Sequence, residues 1–140
     1  MISFHYETQF ELPNEAQIEQ WISKVIASED KREGDINYIF CNDEYLHKLN
    51  VEFLNHDTLT DIISFDNSVG SELHGDIFIS VERVADNAKD FGVSTDEELR
   101  RVMVHGVLHY CGYKDKTDAD QAKMTEKENE KLQMFHVEHS

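Results

Sequence analysis

The chain has 140 residues, 39% of them hydrophobic and 10% aromatic, which is enough apolar volume for one domain with its own core and too little for two. Its 29 Asp and Glu against 13 Lys and Arg leave a formal net charge of -16. That balance excludes simple nonspecific affinity for nucleic acid, because phosphate backbones are held by Lys and Arg; an RNA-directed protein of this charge needs a locally basic face or a partner.

Residues 2 to 10 alternate, with Ile2, Phe4 and Tyr6 on one side, the period of a half-buried strand. Asn14, with Gln17 three residues on, predicts the N-cap of a helix whose Ile18, Trp21, Ile22, Val25 and Ile26 share one face. Gly34-Asp35 breaks the chain ahead of the β-rich run Ile36 to Cys41, and Asn42 or Asp43 then caps a helix carrying Leu46, Leu49 and Phe53. Two strands follow, Asp61 to Phe65 and Asp76 to Ser80, joined by a Ser- and Gly-containing connection short enough for antiparallel neighbours.

Val81, Val84, Ala85, Ala88 and Phe91 mark a helix stopped by Gly92. Ser94 or Thr95 opens the next, with Glu97 and Glu98 suited to its positive end and Leu99, Val102, Met103 and Gly106 on its buried stripe, until Gly112 ends it. Thr117 caps a last helix, with Asp118 and Asp120 in its first turn and Met124 and Leu132 as sparse apolar anchors in a charged, mostly solvated segment. No repeat, low-complexity tract or linker interrupts this order. The expected fold class is α/β (α+β): a single domain over residues 1–140, a small mixed four-stranded sheet packed with about five helices.

No window approaches the roughly 20 apolar residues that span a bilayer. The opening Met1-Ile2-Ser3-Phe4-His5-Tyr6 has neither a basic region nor an apolar signal core, so a cytoplasmic location without membrane contact is expected. Cys41 and Cys111 form no close-spaced pair, and no disulfide is predicted.

The stretch that carries chemistry is His105-Gly106-Val107-Leu108-His109-Tyr110-Cys111-Gly112-Tyr113-Lys114-Asp115. Histidines four apart on a helix are neighbours on one face, so both imidazoles can reach one ion at about 2.0 to 2.1 Å. A bare pair would read more simply as two half-buried histidines. Gly112, however, can take the left-handed conformation that turns the chain back toward the same face, which makes Asp115 a candidate third ligand. Three protein ligands with an open position define a hydrolytic rather than a structural metal site. Metzincin peptidases share this frame, but their general base is a glutamate immediately after the first histidine, where this chain has Gly106. Cys111 reads as a small buried residue rather than a thiolate ligand, and His136 and His139 as solvent-exposed.

The segment His105 to Asp115 is similar to an H-G-x-L-H-x-x-G-Y signature. Leu49-Asn50 with Asp57 to Phe65 is similar to an L-N…D-x-x-T-D-V-L-S-F block, and Gly75 to Ser80 to a G-D-I-x-I-S strand. In these segments, spread over most of residues 36 to 124, the chain resembles the YbeY family of metal-dependent endoribonucleases, the ribosomal RNA maturation factors. The resemblance implies an α/β fold with a small mixed sheet and one zinc ion per chain, held by His105, His109 and Asp115. It implies single-stranded RNA as substrate, action on small-subunit ribosomal RNA and in ribosome quality control, and ribosomal particles or a ribosome-associated protein as partners.

Two positions depart from the family pattern. Asp115 stands where most members have histidine; aspartate is itself a zinc ligand, so this alters metal affinity and water acidity rather than the existence of the site. Leu54 stands where an arginine is usual, which removes a guanidinium able to hold phosphate. Lys114, Lys116 and Lys123 are candidates to replace that charge. The candidate catalytic residues are Asp61, Ser64 and Asp76, where a carboxylate can accept a proton or hold a ligating imidazole; the plainer role of both aspartates is to satisfy turn amides at strand starts. The expected function is a single-strand-specific, zinc-dependent endoribonuclease. A zinc metallopeptidase-like hydrolase and a non-catalytic ribosome-assembly factor are the competing possibilities.

Overall fold

The computed structural model describes residues 1–139, with side chains through residue 137. The elements in chain order are β1 (Ile2–Tyr6), α1 (Glu15–Ser28), β2 (Arg32–Cys41), α2 (Asp43–Leu54), β3 (Ile62–Asp66), β4 (Glu72–Ser80), α3 (Val81–Phe91), α4 (Thr95–Tyr110) and α5 (Asp118–His139). They form a single small α/β domain around a sheet ordered β1-β2-β4-β3. β1, β2 and β4 run parallel, and β3 pairs antiparallel with β4. The parallel pairs need long crossovers, which α1 supplies between β1 and β2, whereas β3 and β4 are joined by a tight connection.

Strand alternation sorts the core onto two faces. Ile36, Tyr38 and Phe40 of β2 and Leu73, Ile77 and Ile79 of β4 join Trp21, Ile22 and Ile26 of α1 and Met103, Val107 and Leu108 of α4 in the main cluster. A smaller cluster of Cys41, Leu46 and Ile63, with Phe65 and Phe78 against it, lies on the other face under α2. Both cysteines are free, and among the described residues no helix is long and apolar enough to cross a membrane.

Several boundaries differ from expectation. β1 ends at Tyr6 rather than residue 10. Asn14 does not cap α1 with its side chain; it adopts a left-handed conformation with φ 62°, which asparagine tolerates better than most residues. Gly34 and Asp35 lie inside β2, and β4 begins at Glu72 rather than Asp76, because the two strands pair from Arg32↔Glu72 onward and absorb the glycine as an irregularity between Glu33 and Ile36. The other caps form as expected: Asn42 accepts from Tyr45 N at 2.9 Å, Ser94 from Glu97 N at 3.1 Å and Thr117 from Asp120 N at 3.0 Å.

α5 buries more than its two apolar anchors. Met124, Glu128, Lys131, Leu132 and Phe135 form one continuous inner face. Lys131 donates to Glu29 Oε2 and to Ser28 Oγ, both at 2.8 Å, and Tyr113 donates to Glu29 Oε1 at 2.6 Å. Burial works to raise the Glu29 carboxyl, but these hydrogen bonds more than offset it and hold the group below its usual range. The cluster fastens α5 and the turn after α4 to the end of α1, which fixes the walls of the site described next.

Candidate metal centre

α4 places His105 and His109 one turn apart, with their Nε2 atoms separated by 3.1 Å. The helix ends at Tyr110; Gly112 then takes φ 106°, and Tyr113 N returns to Leu108 O at 3.1 Å. This reversal brings Asp115 Oδ2 to 3.1 Å from His109 Nε2 and 3.3 Å from His105 Nε2. Three atoms bound to one tetrahedral ion at about 2.0 to 2.1 Å would be spaced about 3.3 to 3.4 Å apart. The observed triangle therefore needs shifts of only a few tenths of an ångström to hold a metal ion, and its two imidazoles and one carboxylate suit a divalent transition metal.

Glu128, from α5, accepts from His105 Nδ1 at 2.6 Å. That bond puts the imidazole proton on Nδ1 and leaves the Nε2 lone pair facing the triangle. Arg101 extends the chain, donating to Glu128 Oε1 at 2.9 Å and to Asn129 Oδ1 at 2.7 Å. Glu128→Ala is expected to lower metal affinity roughly 10- to 100-fold, read by competition with a chelating dye; unchanged affinity would show that Glu128 does not orient the ligand.

Burial works against a charged His105, yet the hydrogen bond and charge of Glu128, followed by the charges of Asp115 and Asp61, more than offset it and raise its pKa above that of an ordinary histidine. In the metal-free protein, the stability this ion pairing contributes is fully present below the unfolded histidine pKa and is lost as pH rises through the folded one. A metal competes with the same proton. Affinity measured across a pH series should start to fall at a higher pH than ordinary histidine ligation gives; a fall confined to the ordinary range or below would contradict this.

The three candidate ligands line a cavity of about 450 Å³ whose other walls include Asp61 just before β3, Ser64 within it, Glu98 and Arg101 of α4, and Glu128. Burial raises the carboxyl of Asp61, against the opposing pull of His105, and Asn87 Nδ2 donates to it at 3.4 Å. Glu98, only 5% exposed, is also raised, first by burial and then by the charge of Asp61.

Asp76 is not brought to this cavity. It lies in mid-strand on the face opposite Ile77, where its carboxylate accepts from Asn37 Nδ2 at 3.0 Å. Among the described residues, Lys114, Lys116 and Lys123 do not line the cavity either, and Leu54 sits exposed at the end of α2. A Cβ on Gly106 would lie 3.1 Å from Ile62 Cδ1 and from Ile77 Cδ1, so this position faces the sheet and has no room for the peptidase glutamate. Burial pushes the Cys111 thiol up to about 11, which keeps it a thiol at neutral pH. His136 is exposed, and the His139 side chain lies outside the described residues.

Glu98, Arg101 and Glu128 are cavity residues that the sequence reading did not single out. Glu98 suits the positive N-terminal end of α4, a role that does not announce its burial. Glu128 lies four residues after Met124 and four before Leu132, a carboxylate in the middle of an apolar stripe, and that was the available signal.

The family described as Endoribonuclease YbeY matches residues 3–136. A Flavobacterium johnsoniae protein with that description is 70% identical over 138 residues, covering 99% of each chain. Those from Flavobacterium psychrophilum, at 64% over 98% of each chain, and Christiangramia forsetii, at 57% over 98% of this chain and 96% of the other, carry the same description. The solution structure of a Thermotoga maritima protein shares the fold, with a TM-score of 0.68 over 99% of this chain and 91% of that one at 24% identity. Since the match extends across the sheet, the helices and the His105 to Asp115 segment, the chain belongs to the YbeY endoribonuclease family.

Proposed function

We propose that the chain is a single-strand-specific endoribonuclease that holds one zinc ion through His105, His109 and Asp115 and acts in the cytoplasm on small-subunit ribosomal RNA, in maturation and in quality control of ribosomal particles. The observation that carries this is the ligand triangle, with edges of 3.1, 3.1 and 3.3 Å, opening into a cavity. The family membership supplies RNA as the substrate class. When bound, zinc with three protein ligands acidifies a water and stabilises negative charge on a phosphate oxygen. Glu128 orients His105, Asp61 accepts a proton from the attacking oxygen, and Ser64 donates a hydrogen bond to the phosphate; Asp76, held by Asn37 on the other sheet face, has no part in this proposal.

The acidic walls, Asp61, Glu98 and Glu128, favour one second reading, a ribosome-assembly factor that binds without cutting. Labelled single-stranded RNA, duplex RNA, single-stranded DNA and a peptide library, each incubated with zinc-loaded protein, separate the possibilities. Cleavage of single-stranded RNA alone, abolished by a chelator and restored by zinc, is expected. Comigration with ribosomal particles without cleavage would replace the enzyme by the binding factor, and peptide cleavage would replace it by the peptidase.

A further inference from the structure

The cavity that would receive a phosphodiester has four carboxylates on its walls, Asp61, Glu98, Asp115 and Glu128, and Arg101 is its one guanidinium among the described residues. Arg100 lies instead over the Phe135 ring, and Arg83 pairs with Asp43. Arg101 gives one N–H to Glu128 and one to Asn129, so three of the five N–H donors of a guanidinium have no partner among the described residues. Its side chain is 33% exposed.

Arg101, Glu98 and Glu128 also line an adjoining depression of about 320 Å³, together with Glu97, Thr125, Phe91 and Val93. Phe91, at the end of α3, is 66% exposed, so its ring face is open to solvent beside this depression. The two hollows share three wall residues, so a chain held at the metal ligands can continue past Arg101 toward Phe91.

Building on the proposed RNA cleavage, we infer that this depression is a nucleotide subsite for the strand leaving the metal cavity, with Arg101 holding a backbone phosphate and Phe91 stacking a base. The division of labour follows from the chemistry of each group: a guanidinium fork grips phosphate oxygens in pairs, and an aromatic face stacks any base without reading its sequence. It also reconciles an RNA substrate with a formal net charge of -16, because one cation placed at the phosphate supplies a local contact that the overall field does not.

The test measures binding of a short single-stranded RNA to zinc-loaded parent, Phe91→Ala, Arg101→Ala and Arg101→Lys, with metal content determined on every sample. Phe91→Ala should bind roughly 5- to 100-fold more weakly while keeping its metal, and should lose nothing on an oligomer with an abasic site at the stacked position. Arg101→Ala should weaken both oligomers and reduce the slope of log affinity against log salt by about 0.7, the value for one phosphate contact on a single strand; Arg101→Lys should keep the slope. A purely structural Arg101 would change metal content and leave that slope alone. Unchanged RNA affinity in Phe91→Ala overturns the subsite, whatever Arg101→Ala does to the metal. A parent protein that binds no RNA at all would instead defeat the underlying function.

Discussion

Alanine at His105 or His109 is expected to bring RNA cleavage down to the level of the chelator-treated parent, with the far-ultraviolet circular dichroism unchanged. The proposed ligand triangle has only three protein atoms, and removing one leaves two donors, too few to retain a catalytic ion. A bound metal supplies several kcal/mol of transition-state charge stabilisation; at about 1.4 kcal/mol per factor of ten, the loss is on the order of 10³-fold or more. The fold should tolerate the change because both imidazoles are partly exposed and face the cavity, while α4 is anchored by Met103, Val107 and Leu108 on its other side. Asp115→His offers the complementary variant: it keeps three donors and should keep metal and cleavage, whereas Asp115→Ala should lose both. Full cleavage in His105→Ala would remove this cluster from the mechanism.

Gly75→Ala is expected to be strongly destabilising. Gly75 lies in β4 opposite Asp66, and a Cβ there would overlap both the Phe65 carbonyl oxygen and the Tyr110 hydroxyl. The hydroxyl is held in place, donating to Phe65 O at 2.9 Å and Asp76 O at 3.3 Å, so it cannot simply swing aside. Relief requires β3 to move away from β4, at a cost of about 3 kcal/mol, and a chain of this length should lose about 10 °C in Tm. Tyr110→Phe alone should cost only about 1 kcal/mol, one hydrogen bond. The double variant should not recover, because the clash with the Phe65 carbonyl persists. A thermal unfolding series reads all three, and an unaltered Tm in Gly75→Ala would contradict the packing of α4 on the β3–β4 pair.

The parts of the fold that were legible in the sequence are those written in a local period. Ile18 to Ile26 marks α1, Val81 to Ala88 marks α3, and the spacing from His105 to Asp115 marks the candidate ligand cluster, since helix and turn geometry alone bring those three residues together. What was not legible depends on partners far along the chain. Gly34 looked like a chain break, but pairing with β4 carries β2 straight through it. Glu128 meets His105 across 23 residues and Arg101 across 27, and no spacing rule on either helix announces the meeting. Asp76 was decipherable in retrospect: Ile77 and Ile79 point to α4, so their neighbour must point away from the metal cavity.

The most direct test of the account is elemental analysis of the purified chain, made on the samples used for cleavage of single-stranded RNA. The prediction is one zinc ion per chain, removed by a chelator together with the activity and restored with it on adding zinc. A chain that cleaves single-stranded RNA with no bound metal, or that takes up no metal on reconstitution, would contradict it.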